Sequence, residues 1–195
     1  PWMSQSFPRA RTVLNEIARD PARSMLVIDP VITDTAKMAD FHLRVRPGTD
    51  AWCLAALAAV LVQENLCDET FLAQHVTGAD TVRQVLAQVP VDDYAIRCGV
   101  DADLLRRAAR RIAGADSVAV FEDLGVQQAP NSTVCSYLNK LLWILTGNFA
   151  KRGAQHLHSA FAPLMRYTGG VGRTPVTGAP IISGLIPGNA VPQEI

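Results

Sequence analysis

Two carboxylates stand where a chain could present them to a ligand. Asp29 closes the run Met25-Leu26-Val27-Ile28-Asp29-Pro30, and Asp50 closes Arg46-Pro47-Gly48-Thr49-Asp50. The first run is short and continuously apolar, as a buried parallel strand reads. Pro30 cannot extend a central ladder, so the strand ends at the aspartate. The second carboxylate follows another apolar run, Phe41 to Val45, and a long apolar helix starts at once behind it. Strand ends about 20 residues apart are typical of one short α/β unit. In open α/β sheets ligands sit at the carboxyl edge, where both aspartates would fall. Alone, each Asp reads first as a turn former or helix N-cap. Together they point to a nucleotide site.

The elements that must position them alternate along the chain. Arg9 to Ala22 carries Val13, Leu14 and Ile17 on one face at helical spacing, and Asp20-Pro21 ends it. Thr33 to Asp40 reads as one or two helical turns. The run Ala51 to Leu66 is too long and too rich in Ala and Leu for a strand, and reads as a helix buried on most sides. Asp68 is the expected N-cap of Glu69 to Val76, which Gly78 ends; Thr81 to Gln88 is another short helix, stopped by Pro90. Asp101 caps Ala102 to Ala113, whose arginines 106, 107, 110 and 111 read as a solvated face. Ser117 to Phe121 is expected as a third strand, and Ser132 to Leu145 as a helix with Leu138, Leu141, Leu142 and Leu145 inward. This alternation predicts a three-layer α/β/α, Rossmann-like domain with a mostly parallel sheet over residues 1–150. Residues 151–195 are dominated by glycine and proline from Pro163 to Pro192 and read as an extended, irregular tail lying against another domain.

Composition narrows the function classes. The 195 residues suffice for one core, and 18 basic residues balance 18 acidic ones. No net field draws nucleic acid or an anionic membrane. No run approaches the roughly 18 apolar residues of a spanning helix. Cys53, Cys67, Cys98 and Cys135 are scattered without a CxxC pair and read as buried thiols. His156 and His158 alternate without the further ligands that a zinc site requires, and read as exposed or cofactor-facing imidazoles.

Val27-Ile28-Asp29-Pro30, Thr33, Thr35-Ala36, Ala39-Asp40 and Arg46-Pro47-Gly48-Thr49-Asp50 together resemble the guanine-nucleotide-binding domain of the molybdopterin oxidoreductases. These are the relatives of DMSO reductase, formate dehydrogenase and periplasmic nitrate reductase. The resemblance extends over the whole chain: Tyr94, Cys98-Gly99-Val100 and Leu104, then Gly125, Gln128 and Asn131, then Leu145-Thr146-Gly147-Asn148, then Lys151-Arg152-Gly153-Ala154, and the closing GLIPGN and PQEI. It implies the cofactor bis-molybdopterin guanine dinucleotide with molybdenum. Asp50 would take the guanine N1–H and N2–H₂ as a fork, and Gly48 would let the backbone approach the base. Thr49 would hold the carboxylate or the ribose, and Asp29 the ribose hydroxyls. Pro30, Thr33, Arg46, Ser4 and Gln128 complete the cofactor-binding set. Ser4 and Thr33 read equally as helix-capping or connector hydroxyls. Position 31 is Val, where relatives often carry Arg.

The resemblance also implies that the chain is a fragment, inactive alone. The metal ligand and the cysteines of an iron–sulfur cluster are expected ahead of Pro1, and the partners are the remaining domains of the same polypeptide and an electron-transfer subunit. Cytoplasm and periplasm both remain open. Two other readings compete. Gly169-Gly170-Val171-Gly172 lacks the strand–turn–helix context that a nicotinamide-dependent dehydrogenase needs. A non-catalytic nucleotide-binding or partner-binding α/β scaffold would use the Gly/Pro tail as its contact surface.

Overall fold

The computed structural model describes residues 9–154, 172–181 and 191–194. The chain divides into two compact units, Pro1–His156 and Leu157–Ile195. In the first, helix α1 (Ala10–Arg19) precedes strand β1 (Leu26–Ile28), a 3-10 turn (Ala36–Met38) and strand β2 (Phe41–Leu43). Six helices follow: α2 (Asp50–Gln63), α3 (Glu69–His75), α4 (Ala79–Ala87), α5 (Val91–Cys98), α6 (Ala102–Ala113) and α7 (Leu124–Gln127). Helix α8 (Ser132–Leu145) is the last helix among the described residues of this unit.

Helix α2 is the core. Cys53, Leu54 and every residue from Ala56 to Leu61 are buried, because α4, α5, α6 and α8 all pack on it. Alanines at 55, 56, 58 and 59 leave room for helices on several sides without a wide cavity. Leu138, Leu141, Leu142 and Leu145 of α8 are buried as their spacing predicts. Asp68 caps α3 through Phe71 N at 2.9 Å and Asp101 caps α6 through Leu104 N at 2.7 Å, as the sequence indicates. The four cysteines are free thiols, three of them buried.

Strands β1 and β2 pair in parallel, with Leu26 beside Phe41 and Ile28 beside Leu43. The result is a mixed α/β chain, mostly helical, with a small parallel sheet. Three expectations change. Ser117 to Phe121 is not a strand. The Val118 N–H donates to Asn148 Oδ1 at 2.9 Å, so a buried side chain takes the donor that a ladder would use. Residues 91–98, read only for their family likeness, form a helix behind the Pro90 N-cap. The arginines of α6 do more than face water: Arg110 grips Glu64 at 2.6 and 2.9 Å, Arg106 meets Asp92 at 2.9 Å, and Arg111 Nε meets Ser24 Oγ at 2.8 Å.

In the second unit, residues 172–181 turn back on themselves. Ile181 N donates to Gly172 O at 2.8 Å and Thr174 N to Ala179 O at 2.9 Å, around a bridge between Arg173 and Pro180. A short helix, α9 (Val191–Glu194), follows. Among the described residues no helix is long and apolar enough to cross a membrane.

Candidate functional site

Because β1 and β2 run parallel, the segments that leave them emerge at one edge of the sheet. Asp29 follows β1 directly, and its backbone N–H still reaches Leu43 O at 3.3 Å. Its Oδ1 accepts from Val31 N at 2.8 Å, which folds Asp29-Pro30-Val31 into an Asx-type turn and leaves the other carboxylate oxygen uncommitted among the described residues. Two side chains, one in β2 and one just past its end, hold this turn from beside it. His42 Nε2 lies 2.9 Å from Asp29 O, and Arg44 Nε donates to Pro30 O at 3.1 Å. A carbonyl oxygen can only accept, so His42 carries its proton on Nε2.

The second loop is a β-turn with Pro47 and Gly48 at its centre. Thr49 N donates to Arg46 O at 3.1 Å, and Gly48 has φ +78°, the left-handed value that the third position of a type II turn demands. Thr49 Oγ1 donates to the same carbonyl at 2.6 Å, so the hydroxyl proton is spent on the turn and only its lone pairs face outward. A Cβ at Gly48 would sit 3.5 Å from Cδ of Pro130, so the loop from 128 to 131 runs beside this turn. Gln128 is exposed at the C-terminal end of α7, two residues from that contact.

Asp50 opens α2, half-buried, and no described residue hydrogen-bonds or ion-pairs with its carboxylate. Its charge is felt by two thiols. Cys53 is pushed up by its hydrogen bond with Cys98, by burial and then by Asp50. Cys135 is pushed up by burial and then by Asp50. Helix α2, which Asp50 opens, packs along α8.

Arg46 is placed differently from the rest of its motif. Its backbone N–H donates to Cys98 O at 2.8 Å, and its Nη1 donates to Ile96 O at 2.8 Å and Arg97 O at 3.2 Å. The stem crosses Gly99, where a Cβ would stand 3.0 Å from Arg46 Cγ. The guanidinium thus closes the C-terminus of α5, which is also tied to α2 by an edge-on Trp52–Tyr94 pair at 4.6 Å and by Arg97 lying 4.8 Å over Trp52. Thr33 Oγ1 accepts from Ala36 N at 3.2 Å and caps the 3-10 turn. Ser4, His156 and His158 lie outside the described residues.

Asp29 and Pro30 follow β1 and the Arg46–Asp50 segment follows its parallel partner β2, with the loop bearing Gln128 beside Gly48; Thr33 follows the first turn, and the Arg46 side chain faces α5. The sequence reading passed over His42 and Arg44. Their signal was the alternation in Phe41-His42-Leu43-Arg44-Val45, which puts both on one face at the carboxyl end of β2. Among the described residues, no group of three or more His, Cys, Asp or Glu could hold a metal ion.

No protein-family model matches the chain. The assimilatory nitrate reductase catalytic subunit of Bacillus subtilis is 31% identical over 138 residues, 70% of this chain and 19% of that protein. The F420-dependent formate dehydrogenase subunit alpha of Methanocaldococcus jannaschii is 29% identical over 136 residues, 70% of this chain and 20% of that protein. Acetylene hydratase from Pelobacter acetylenicus superimposes with a TM-score of 0.67 at 27% identity, over 76% of this chain and 20% of that one. The chain belongs to the molybdopterin oxidoreductase superfamily. It spans about a fifth of the length of these curated relatives, with 19% and 20% of each covered.

Proposed function

We propose that this superfamily member holds the guanosine part of bis-molybdopterin guanine dinucleotide within a molybdenum-dependent oxidoreductase. Residues 1–150 form the dinucleotide-binding domain, and residues 151–195 lead toward a neighbouring domain. The two-stranded parallel sheet belongs to a larger three-layer, Rossmann-like arrangement. The observation that carries the reading is Asp50: a half-buried carboxylate with no described partner, beside a glycine turn that follows the strand paired in parallel with the one Asp29 ends. An unpartnered carboxylate at a helix start is suited to a ligand that brings its own donors.

The chemistry of the donor set fits guanosine. The two oxygens of Asp50 accept guanine N1–H and N2–H₂ side by side. Adenine offers only one donor and an opposed lone pair at the same edge, so the carboxylate discriminates between the bases. The free oxygen of Asp29 accepts a ribose hydroxyl, while His42 and Arg44 fix the turn that carries it. Gly48 keeps the turn open to the base, and Gln128 adds an amide from the adjoining loop. Arg46 acts from behind, holding the Gly48 turn against α5. When bound, the pterin-held molybdenum supplies two-electron redox or oxo transfer on a small substrate. An iron–sulfur cluster elsewhere in the polypeptide and a separate electron-transfer subunit complete the enzyme; the relatives named as catalytic or alpha subunits support the presence of partner subunits.

The test is base selectivity. The complete polypeptide, prepared free of cofactor, is titrated with GDP and with ADP by calorimetry. GDP is expected to bind at least about tenfold more tightly, the discrimination that one bidentate pair provides. Equal affinities, or no binding of either, refute the reading.

A further inference from the structure

We propose that Arg44 is the residue that takes the phosphate groups of the nucleotide at this edge. The inference rests on the guanosine reading and adds to it the part of the ligand that reading leaves without a partner. A nucleoside diphosphate or a dinucleotide brings negative charge beside two aspartates, Asp29 and Asp50. Phosphate at such an edge is repelled unless a cation lies with it.

The other cations in the surrounding segments are committed. Lys37 is paired with Asp34 at 2.9 Å, Arg97 lies over the Trp52 ring at 4.8 Å, and Arg46 closes α5 through two carbonyls. Arg44 differs in three respects. It is exposed at the end of β2, and no described carboxylate pairs with it. Its Nε is anchored on Pro30 O at 3.1 Å, so the guanidinium is held at the Asp29–Pro30 turn rather than swinging freely. That single bond leaves both terminal amino groups without a described partner, arranged as the planar fork that matches two phosphate oxygens. Anchored by Nε and open at both Nη atoms, the side chain needs little further ordering to receive a phosphate.

The experiment compares GDP with guanosine on the cofactor-free complete polypeptide, in wild type, Arg44→Gln and Arg44→Lys, with circular dichroism as the control for folding. Arg44→Gln is expected to lose about ten- to a hundredfold in GDP affinity, the scale of a charge-assisted bidentate contact, while guanosine loses less than about fivefold through the loosened Asp29 turn. Arg44→Lys keeps the charge but not the fork and should fall between the two. GDP binding by the wild type should also weaken with salt more steeply than binding by Arg44→Gln. Unchanged GDP affinity in both variants overturns the assignment and leaves the guanosine reading standing. An equal loss for GDP and guanosine also overturns it, because Arg44 would then only support the Asp29 turn. A wild type that binds neither ligand refutes the guanosine reading and the Arg44 assignment together. If Arg44→Gln does not fold, the GDP-to-guanosine ratio of Arg44→Lys decides.

Discussion

Replacing Asp50 by asparagine separates a recognition carboxylate from a structural one. The structure gives this side chain no protein partner to lose, and its place in the first turn of α2 is worth only about 0.3–1 kcal/mol through the helix dipole. Toward guanine the change is larger. An amide keeps one acceptor and points its NH₂ at a guanine donor, so one charge-assisted bond of about 1.5–3 kcal/mol disappears and the other contact turns repulsive. We expect about 2–4 kcal/mol in all, or about thirty- to seven-hundredfold in affinity at 1.4 kcal/mol per tenfold. Asp29→Asn is the internal comparison. Its Oδ1 bond to Val31 N survives in an amide, and ribose hydroxyls can rotate to accept from the new NH₂, so about 1 kcal/mol is expected. The assay is molybdenum and guanine-nucleotide content per purified complete polypeptide, alongside thermal unfolding. Wild-type occupancy in a folded Asp50→Asn variant removes Asp50 from the site. A loss in Asp29→Asn as deep as that in Asp50→Asn contradicts the division of roles between them.

Four further outcomes follow from the packing. Gly147→Ala should cost about 2–4 kcal/mol in thermal unfolding, because φ is +67° and the new Cβ would overlap the Asp68 carboxylate that caps α3. Gly48→Ala, at φ +78° but in ordinary contact with Pro130, should cost only about 1–2 kcal/mol; the reverse order contradicts the geometry. Arg46→Ala should destabilise by about 1–2 kcal/mol and weaken GDP and guanosine binding equally, since its bonds go to α5 carbonyls; an effect on GDP alone would mean that it reaches the phosphates. Arg110 holds Glu64 below its ordinary value of 4.5, first by hydrogen bonding and then by charge. The contribution of that pair is therefore whole above about pH 4.5 and fades as the pH falls through the lower folded-state value. The melting-temperature advantage of wild type over Glu64→Gln should shrink on acidification and be flat from pH 6 to 8, as differential scanning calorimetry would show.

What could be read from the sequence was whatever depends on near neighbours. The Ala/Leu run of α2 specifies a buried helix wherever it sits, and Asp68 and Asp101 announce their caps within three residues. Met25–Pro30 and Phe41–Val45 place two strand ends, and parallel pairing brings them to one edge. Distant partners were hidden. Ser117–Phe121 has a strand's composition, but Asn148, 30 positions beyond Val118, takes its backbone donor. Arg46 belongs to a motif that reads as ligand-facing, yet its acceptors lie 50 and 51 positions away on α5. Arg44 carries no motif, and only the carbonyl of Pro30, in the turn after β1, marks its place. Helix α5 went unread because Val91–Cys98 spans little more than two turns, too few for periodicity to speak.

The grip of α5 on the Arg46–Asp50 turn has a consequence for how this chain can change. The stretch from Asn65 to Gly114 carries four helices, α3 to α6, and looks like an excursion that could be shortened or exchanged. It is not detachable. The carbonyls of Ile96, Arg97 and Cys98 are the far wall of the turn that presents Gly48 and Asp50, so the excursion is part of that turn's mould. Grafting the Pro47-Gly48-Thr49-Asp50 turn onto another α/β scaffold would transfer the letters without the shape. A graft that carries α5 with it is the smallest unit expected to keep the carboxylate where a base can find it.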